Sequence, residues 1–223
     1  MDFRKAVLTG DIIASSKLTP ERHEALYAAF SNASALLKRV YPNEIPYNIS
    51  NFRGDGWQIV CSRPDKSLEI GIFVRTYLRF TFKAEKLDTR FAIGIGRINF
   101  IPAENIAAGD GEAYTISGHL LDAIQAGHMT VGIPERSAPV IQTALDGILS
   151  LLDVIVTGWS TSQAQAVFLA LQGHKQEEIA RLWSPAPITQ ASVSAALKGA
   201  AWTVIKKSLN TFEKLVASAA LST

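Results

Sequence analysis

The sequence predicts an α+β fold, with a mixed domain over residues 1–156 and a small all-α domain over residues 157–223. Three observations carry this. Strand and helix periodicities alternate through the first part of the chain. Only helical signals follow Thr157-Gly158. Nearly half of the 223 residues are apolar, enough for one large domain or two small ones with real cores.

The elements follow in order. Lys5 to Ala14 is a continuous apolar run with β-branched residues, which reads as a buried strand. Thr19-Pro20-Glu21 opens a helix, with threonine as cap and proline at the first helical position. Leu26, Phe30, Ala33 and Leu37 recur at helical spacing, and Pro42 stops it. Pro46 to Phe52 and Trp57 to Ser62 read as two strands around Gly54-Asp55-Gly56, a hairpin turn whose glycines supply unusual backbone angles. Pro64-Asp65-Lys66 begins a second helix with Ile70, Phe73, Val74, Tyr77 and Leu78 on its inner face.

Thr89 to Asn99 is the next strand, Ala113 to Ala126 a third helix, Met129 to Ile133 a short edge strand, and Ser137 to Leu152 a further helix. The order βαββαβ, with additions, predicts an antiparallel sheet with helices on one face, the ferredoxin-like arrangement. Gly94 and Gly96 lie inside a strand and read as close-approach positions, not as a dinucleotide fingerprint. Beyond residue 157, Ser160-Thr161-Ser162-Gln163 is a capping box that launches Ala164, Val167, Phe168 and Leu171, and Gly173 closes that helix. Three more helices are expected, from about Lys175 to Trp183, from Thr189, and from about Ala200 to Ala217.

A formal net charge of +2 gives no global attraction for nucleic acid, so any such role rests on local patches. The single cysteine, Cys61, excludes an intramolecular disulfide and reads as a packing thiol. Met1 to Lys5 leads straight into strand, with no signal-peptide core. The longest apolar stretch, Ile148 to Val156, is broken by Asp153 and is short for a bilayer. A cytoplasmic protein without a membrane partner is expected.

Two aspartates carry the chemical expectation. Asp11 ends the strand Val7-Leu8-Thr9-Gly10-Asp11, and Asp55 sits in the turn Phe52-Arg53-Gly54-Asp55-Gly56-Trp57. If those strands are neighbours, both carboxylates reach one spot and can hold Mg²⁺ or Mn²⁺ against a triphosphate. Backbone N–H groups through Ile12, Ile13, Ala14, Ser15 and Ser16 can cradle phosphates, Lys17 adds a point charge, and Arg53 and Gly54 flank the turn. The alternative is local: Asp11 caps a turn, and Asp-Gly is ordinary hairpin chemistry. Asp110 and Glu112 favour a helix N-terminus, and His119 reads as a helix-surface side chain.

Residues 4 to about 133 resemble the SatD family. The resemblance lies in Leu8-Thr9-Gly10-Asp11-Ile12-Ile13-Ala14-Ser15-Ser16, Arg53-Gly54-Asp55-Gly56-Trp57-Gln58, Arg90-Phe91-Ala92-Ile93-Gly94-Ile95-Gly96 and Gly111-Glu112-Ala113-Tyr114. It implies a domain similar to class III nucleotide cyclases and palm domains, with two metal-holding carboxylates, followed by a helix-turn-helix. Working cyclases also place an asparagine and an arginine on the helix after the fourth strand. The matching stretch, Ile116 to Ile124, has neither, and Tyr47 to Asn51 lacks their base-reading lysine. Metal and nucleotide binding is therefore better supported than turnover.

Lys175 to Trp183 resembles the first helix of a bacterial helix-turn-helix, and Thr189 to Lys198 a recognition helix. Val193 and Leu197 point inward, leaving Thr189, Gln190, Ser192, Ser194 and Lys198 free to meet double-stranded DNA. The intervening turn is long and holds two prolines. From Gly158 onward six basic residues face three acidic ones, a mild bias. A small helical bundle, one that dimerises or one that packs on the first domain, is the alternative. The leading expectation is a nucleotide-responsive, DNA-binding homodimeric regulator. Beside it stand a divergent nucleotidyl cyclase or oligonucleotide synthase, and a scaffold that has lost its ligands.

Overall fold

The strand Lys5–Ile12, β1, carries no charge between Lys5 and Asp11, and its Ala6, Val7 and Leu8 are fully buried. Burial on both faces marks it for the middle of a sheet. The computed structural model describes residues 5–52, 54–134 and 139–221. There β1 lies between β3 (Gly56–Cys61) and β4 (Thr89–Gly96), antiparallel to both. β2 (Ser50–Phe52) pairs antiparallel with β3, and β5 (Met129–Gly132) runs parallel to β4 at the other edge. The sheet order is β2-β3-β1-β4-β5. With the helices this gives a mixed α/β fold, compatible with the α+β class.

The helices are α1 (Pro20–Val40), α2 (Ser67–Thr81), α3 (Glu112–Ala123), α4 (Pro139–Thr157), α5 (Thr161–Leu171), α6 (Gln176–Leu182), α7 (Gln190–Gly199) and α8 (Trp202–Leu221). Strand alternation divides the packing. Ala6, Leu8, Ile12, Phe91, Ile93 and Ile95 enter the main core with Leu26 and Phe30 of α1 and Ile70 and Phe73 of α2. Val7 and Val60 face the other way, into a smaller core with Ile106 and Ala113.

That second layer differs from the expectation of helices on one face. α3 packs across β4 and β1 on the side away from α1 and α2. The reason is local: a Cβ at Gly94 would lie 2.1 Å from the Ala113 carbonyl oxygen, and one at Gly96 2.8 Å from Glu112. Missing side chains at these two positions let α3 approach, as their place within a strand suggests.

α4 also runs further than the sequence pattern predicts, to Thr157 in place of Leu152; the expected start, Ser137, lies outside the described residues. Asp153 does not break the helix because its carboxylate is used inside the fold. Arg75, fully buried on α2, donates from Nη1 to Asp153 at 2.8 Å and from Nε and Nη2 to Asp88 at 2.8 and 2.9 Å. By length and composition α4 is apolar enough to cross a bilayer, yet Leu145, Leu149, Leu152 and Val156 pack into the core.

The last four helices share that core. Phe168 of α5 packs against Phe73, Tyr77 and Phe80 with ring centroids 4.9, 5.3 and 5.6 Å away. The expected capping box forms: Gln163 N–H donates to Ser160 Oγ at 3.2 Å, and Ser160 N–H to Gln163 Oε1 at 2.7 Å. Trp159 donates its indole N–H to the Ala200 carbonyl at 3.0 Å, and Lys66 pairs with Glu213 of α8 at 2.7 Å. Cys61 is buried, and burial pushes its thiol up to about 12, so it stays protonated and packs as an apolar group.

Candidate functional site

Asp11 is held in place by the residues around it. Gly10 has no side chain, and the Trp57 indole occupies that space; a Cβ at Gly10 would lie 2.4 Å from Trp57 Cε2. The same indole donates to Thr89 Oγ1 at 2.8 Å, and the Thr89 hydroxyl donates to the Asp11 carbonyl oxygen at 2.5 Å. The backbone at Asp11 is thus pinned from both neighbouring strands. Alternation then sends its carboxylate to the α3 face, together with Thr9.

Arg90 stands directly opposite Asp11 in the β1–β4 register. Its Nε and Nη2 donate to the two Asp11 oxygens, each at 2.8 Å, a bidentate fork. Its Nη1 donates to the Ile124 carbonyl oxygen at 3.1 Å, just past α3. Hydrogen bonding to Asp11 raises the Arg90 pKa further; burial works against this, and the charges of Asp11, Asp122 and Asp55 reinforce it. One guanidinium therefore feels three carboxylates.

Those three carboxylates line one cleft of about 560 Å³, together with Phe52, Gln58 and Asn105. Asp55 comes from the hairpin tip, where Gly54 adopts φ +87°, a conformation that favours glycine. Asp55 accepts a short hydrogen bond from the Ser15 hydroxyl. Asp122 comes from the last turn of α3. Among the described residues, the charged ones that line the cleft are all aspartates.

The other expected nucleotide contacts are spread around this cleft. The Ile12 side chain is buried in the main core, while Ile13, Ala14, Ser16 and Lys17 are exposed. Ala14 has φ 56°, and Ser15 to Lys17 form a short 3₁₀ turn. The Ile13 N–H is spent on the Asp88 carbonyl and the Lys17 N–H on the Ala14 carbonyl, both at 3.0 Å. Of the group, Ser15 reaches an acidic cleft residue through its side chain. Gly54 is exposed at the tip, and Arg53 lies outside the described residues. Glu112 accepts from the Arg97 N–H and Asp110 from the Asn99 amide, each at 3.1 Å, so both serve local structure; His119 is exposed, away from the cleft.

The donor set bears on a metal ion. Among the described residues, no three Asp, Glu, His or Cys side chains form a group able to cage one. Both Asp11 oxygens meet Arg90 and one Asp55 oxygen meets Ser15. Hard oxygen donors of this number fit an ion of the magnesium type, which takes one or two carboxylates and completes its shell with water and phosphate.

Sequence reasoning missed Arg90, Asp122 and Gln58. Arg90 had a signal: it shares strand parity with Ala92, Gly94 and Gly96, a run of small residues that marks the face under α3. Asp122 had none, because its position depends on how α3 lies across the sheet.

In the C-terminal helices, Ile179, Ala180, Val193 and Leu197 are buried and Thr189, Gln190, Ser192, Ser194 and Lys198 are exposed. Thr189 caps α7 by accepting from the Ser192 N–H at 3.1 Å, and Gln190 donates to Gln176 of α6 at 2.6 Å. Ser194 and Lys198 line a second cleft of about 790 Å³ with His174, Lys175 and Lys206. Lys206 Nζ sits 5.8 Å from the Trp202 ring centroid. Comparison of the sequence with protein-family models and with curated proteins finds no match to either.

Proposed function

We propose that this chain is a SatD-type regulator that binds a nucleotide–metal complex in the Asp11 cleft and double-stranded DNA through α7. The observation that carries the reading is the meeting of Asp11, Asp55 and Asp122 in one cleft beside Arg90. A triphosphate alone is repelled by three carboxylates; one carrying Mg²⁺ or Mn²⁺ is attracted. Asp55 and Asp122 would hold the ion, with water and phosphate oxygens completing its shell, while Arg90 stays beside Asp11 within reach of phosphate. The bound ion would neutralise phosphate charge. The order β2-β3-β1-β4 with antiparallel neighbours supports the ferredoxin-like, palm-type reading of the sheet.

For DNA, the support is α7 with its exposed polar side chains next to a cleft holding Lys175, Lys198 and Lys206. A recognition helix flanked by lysines suits phosphate contact. A second copy is assigned to the outer stripe of α4, where Val140, Leu151 and Val154 are 79%, 71% and 74% exposed. The stripe bears no charge for a like stripe to repel, and it runs for about 21 Å of helix. The cytoplasmic setting remains part of this proposal.

A thermal-shift screen of nucleotides with and without Mg²⁺ tests the reading. At least one nucleotide should raise Tm only with the metal, and Asp55→Ala should make the shift much smaller. No shift with any nucleotide sinks it. A second reading, a divergent nucleotidyl cyclase or oligonucleotide synthase, draws on one observation: Arg90 supplies from β4 the guanidinium that α3 lacks. Mass spectrometry after incubation with the four triphosphates and Mn²⁺ decides it; products that persist in Asp55→Ala rule that mechanism out.

A further inference from the structure

Gln58 lies one residue beyond Trp57 on β3 and is only 7% exposed. Its amide nitrogen donates to Thr9 Oγ1 at 2.9 Å. The Thr9 and Ser117 hydroxyls are 2.8 Å apart, and the Ser117 hydroxyl donates to the Tyr114 carbonyl oxygen at 3.1 Å. A run of donors that ends on a carbonyl has one direction: Gln58 to Thr9, Thr9 to Ser117, Ser117 to Tyr114. That direction fixes the amide, so Oε1 is the atom left over. Gln58 Oε1 is buried and, among the described residues, has no hydrogen-bond partner. A buried acceptor without a donor is costly and calls for a reason.

The reason is found in the cleft that Gln58 lines. Phe52 lines it too, and it pairs with Gly56, two residues from Gln58, so both side chains share one face of the hairpin. The Phe52 ring lies across Gly56: a Cβ there would be 2.8 Å from Phe52 Cε2. A flat apolar ring beside an unused buried acceptor suits a flat ligand edge that offers an N–H. We propose that Gln58 is the specificity residue of this cleft. A turn of the side chain brings its Oε1, closed to solvent in the structure, toward the cleft, where it accepts from the exocyclic amine of a nucleobase that stacks on Phe52. The proposal rests on the nucleotide reading above, and it adds which bases are admitted.

The test is titration calorimetry with Mg²⁺, using ATP, GTP and CTP, each against the analogue lacking its exocyclic amine. At least one amine-bearing nucleotide should bind about tenfold or more tightly than its partner, since a site with a buried acceptor rejects a ligand that leaves it unpaired. Gln58→Met should bring that ratio close to one. Asp55→Ala should weaken both members alike and keep the ratio. The wild-type ratios need no variant, so a Gln58→Met protein that fails to fold does not protect the idea. Mg²⁺-dependent binding with equal affinities in all three pairs overturns this inference and leaves the nucleotide reading standing. Absence of binding by every nucleotide overturns both.

Discussion

Gly10 is the residue on which the geometry of Asp11 turns. Its missing side chain is filled by the Trp57 ring, and the Arg90 carbonyl oxygen lies 2.7 Å from where a Cβ would stand. Trp57 is fully buried, so neither neighbour has room to yield. Gly10→Ala should destabilise the protein by about 2–3 kcal/mol, read as a lower denaturant midpoint at unchanged slope. Arg90 behaves differently. Its pair with Asp11 is partly exposed, with side chains 35% and 25% accessible, so its contribution to stability is small. Its weight falls on the charge of the cleft. Arg90→Ala should leave Tm almost unchanged and tighten Mn²⁺ binding by about 1 kcal/mol, roughly fivefold, by removing the cation that neutralises Asp11. Calorimetry with Mn²⁺ checks this; weaker binding would show that Asp11 needs Arg90 to be held in position.

At the scale of elements, α3 links packing to the cleft. It carries Asp122 at its end and Ser117 against Thr9, and it lies on β4 through Gly94 and Gly96. Gly94→Ala should lift the helix, because its Cβ would lie 2.1 Å from the Ala113 carbonyl oxygen and 2.5 Å from the Ser117 nitrogen, both backbone atoms. Faster amide exchange in α3, with β1 and β3 still protected, is the expected signature, and the nucleotide response should be lost with it. α7 offers the matching test for DNA. Lys198→Ala should weaken binding to all duplexes about equally and lower the slope of log K against log salt by about 1, as for one lost phosphate contact. The strand pattern around Asp11 and Asp55, the Ser160 capping box and the inward pair Val193 and Leu197 were legible in the sequence because each is set by residues close in the chain. The side taken by α3 was marked only by the small residues Ala92, Gly94 and Gly96, since which helix meets them depends on a stretch of chain well beyond the strand.

Across the whole molecule, a buried charge network joins parts that the sequence reads separately. Arg75 of α2 binds Asp88 before β4 and Asp153 of α4, while Asp153 also accepts the His128 N–H at 2.6 Å. Arg79 donates to the Val156 and Trp159 carbonyl oxygens at 2.9 and 2.6 Å, which fastens the passage from α4 into α5. Arg75→Met should cost about 3–5 kcal/mol, because Asp153 is left in the fold without its arginine and Asp88 keeps only Arg79. Burial alone would raise the Asp88 pKa, but hydrogen bonds from Arg75 and the charges of Arg75 and Arg79 hold it below the ordinary value. A lowered folded-state pKa stabilises the protein above the unfolded value, and that stability is lost as pH falls through the folded one. Stability should therefore begin to fall below about pH 4, and Asp88→Asn should flatten this acid dependence while lowering stability at pH 7. At the same scale, Leu151→Glu on α4 should give the monomer mass in light scattering if that stripe joins two copies.

The chain alone determined what neighbouring residues determine: the periodicity of strands and helices, the turn that carries Asp55, the aspartate near the end of β1, and the caps. Those features depend on a few consecutive side chains and the backbone angles they permit. Tertiary structure decided the rest. It placed α3 on the far face, set Arg90 against Asp11 and brought Asp122 into the cleft. It also left Gln58 with an unused acceptor and spent the charge of Asp153 on Arg75. Each of these is a meeting of residues far apart in sequence, fixed by which surfaces can approach closely enough to exclude water and satisfy their polar groups.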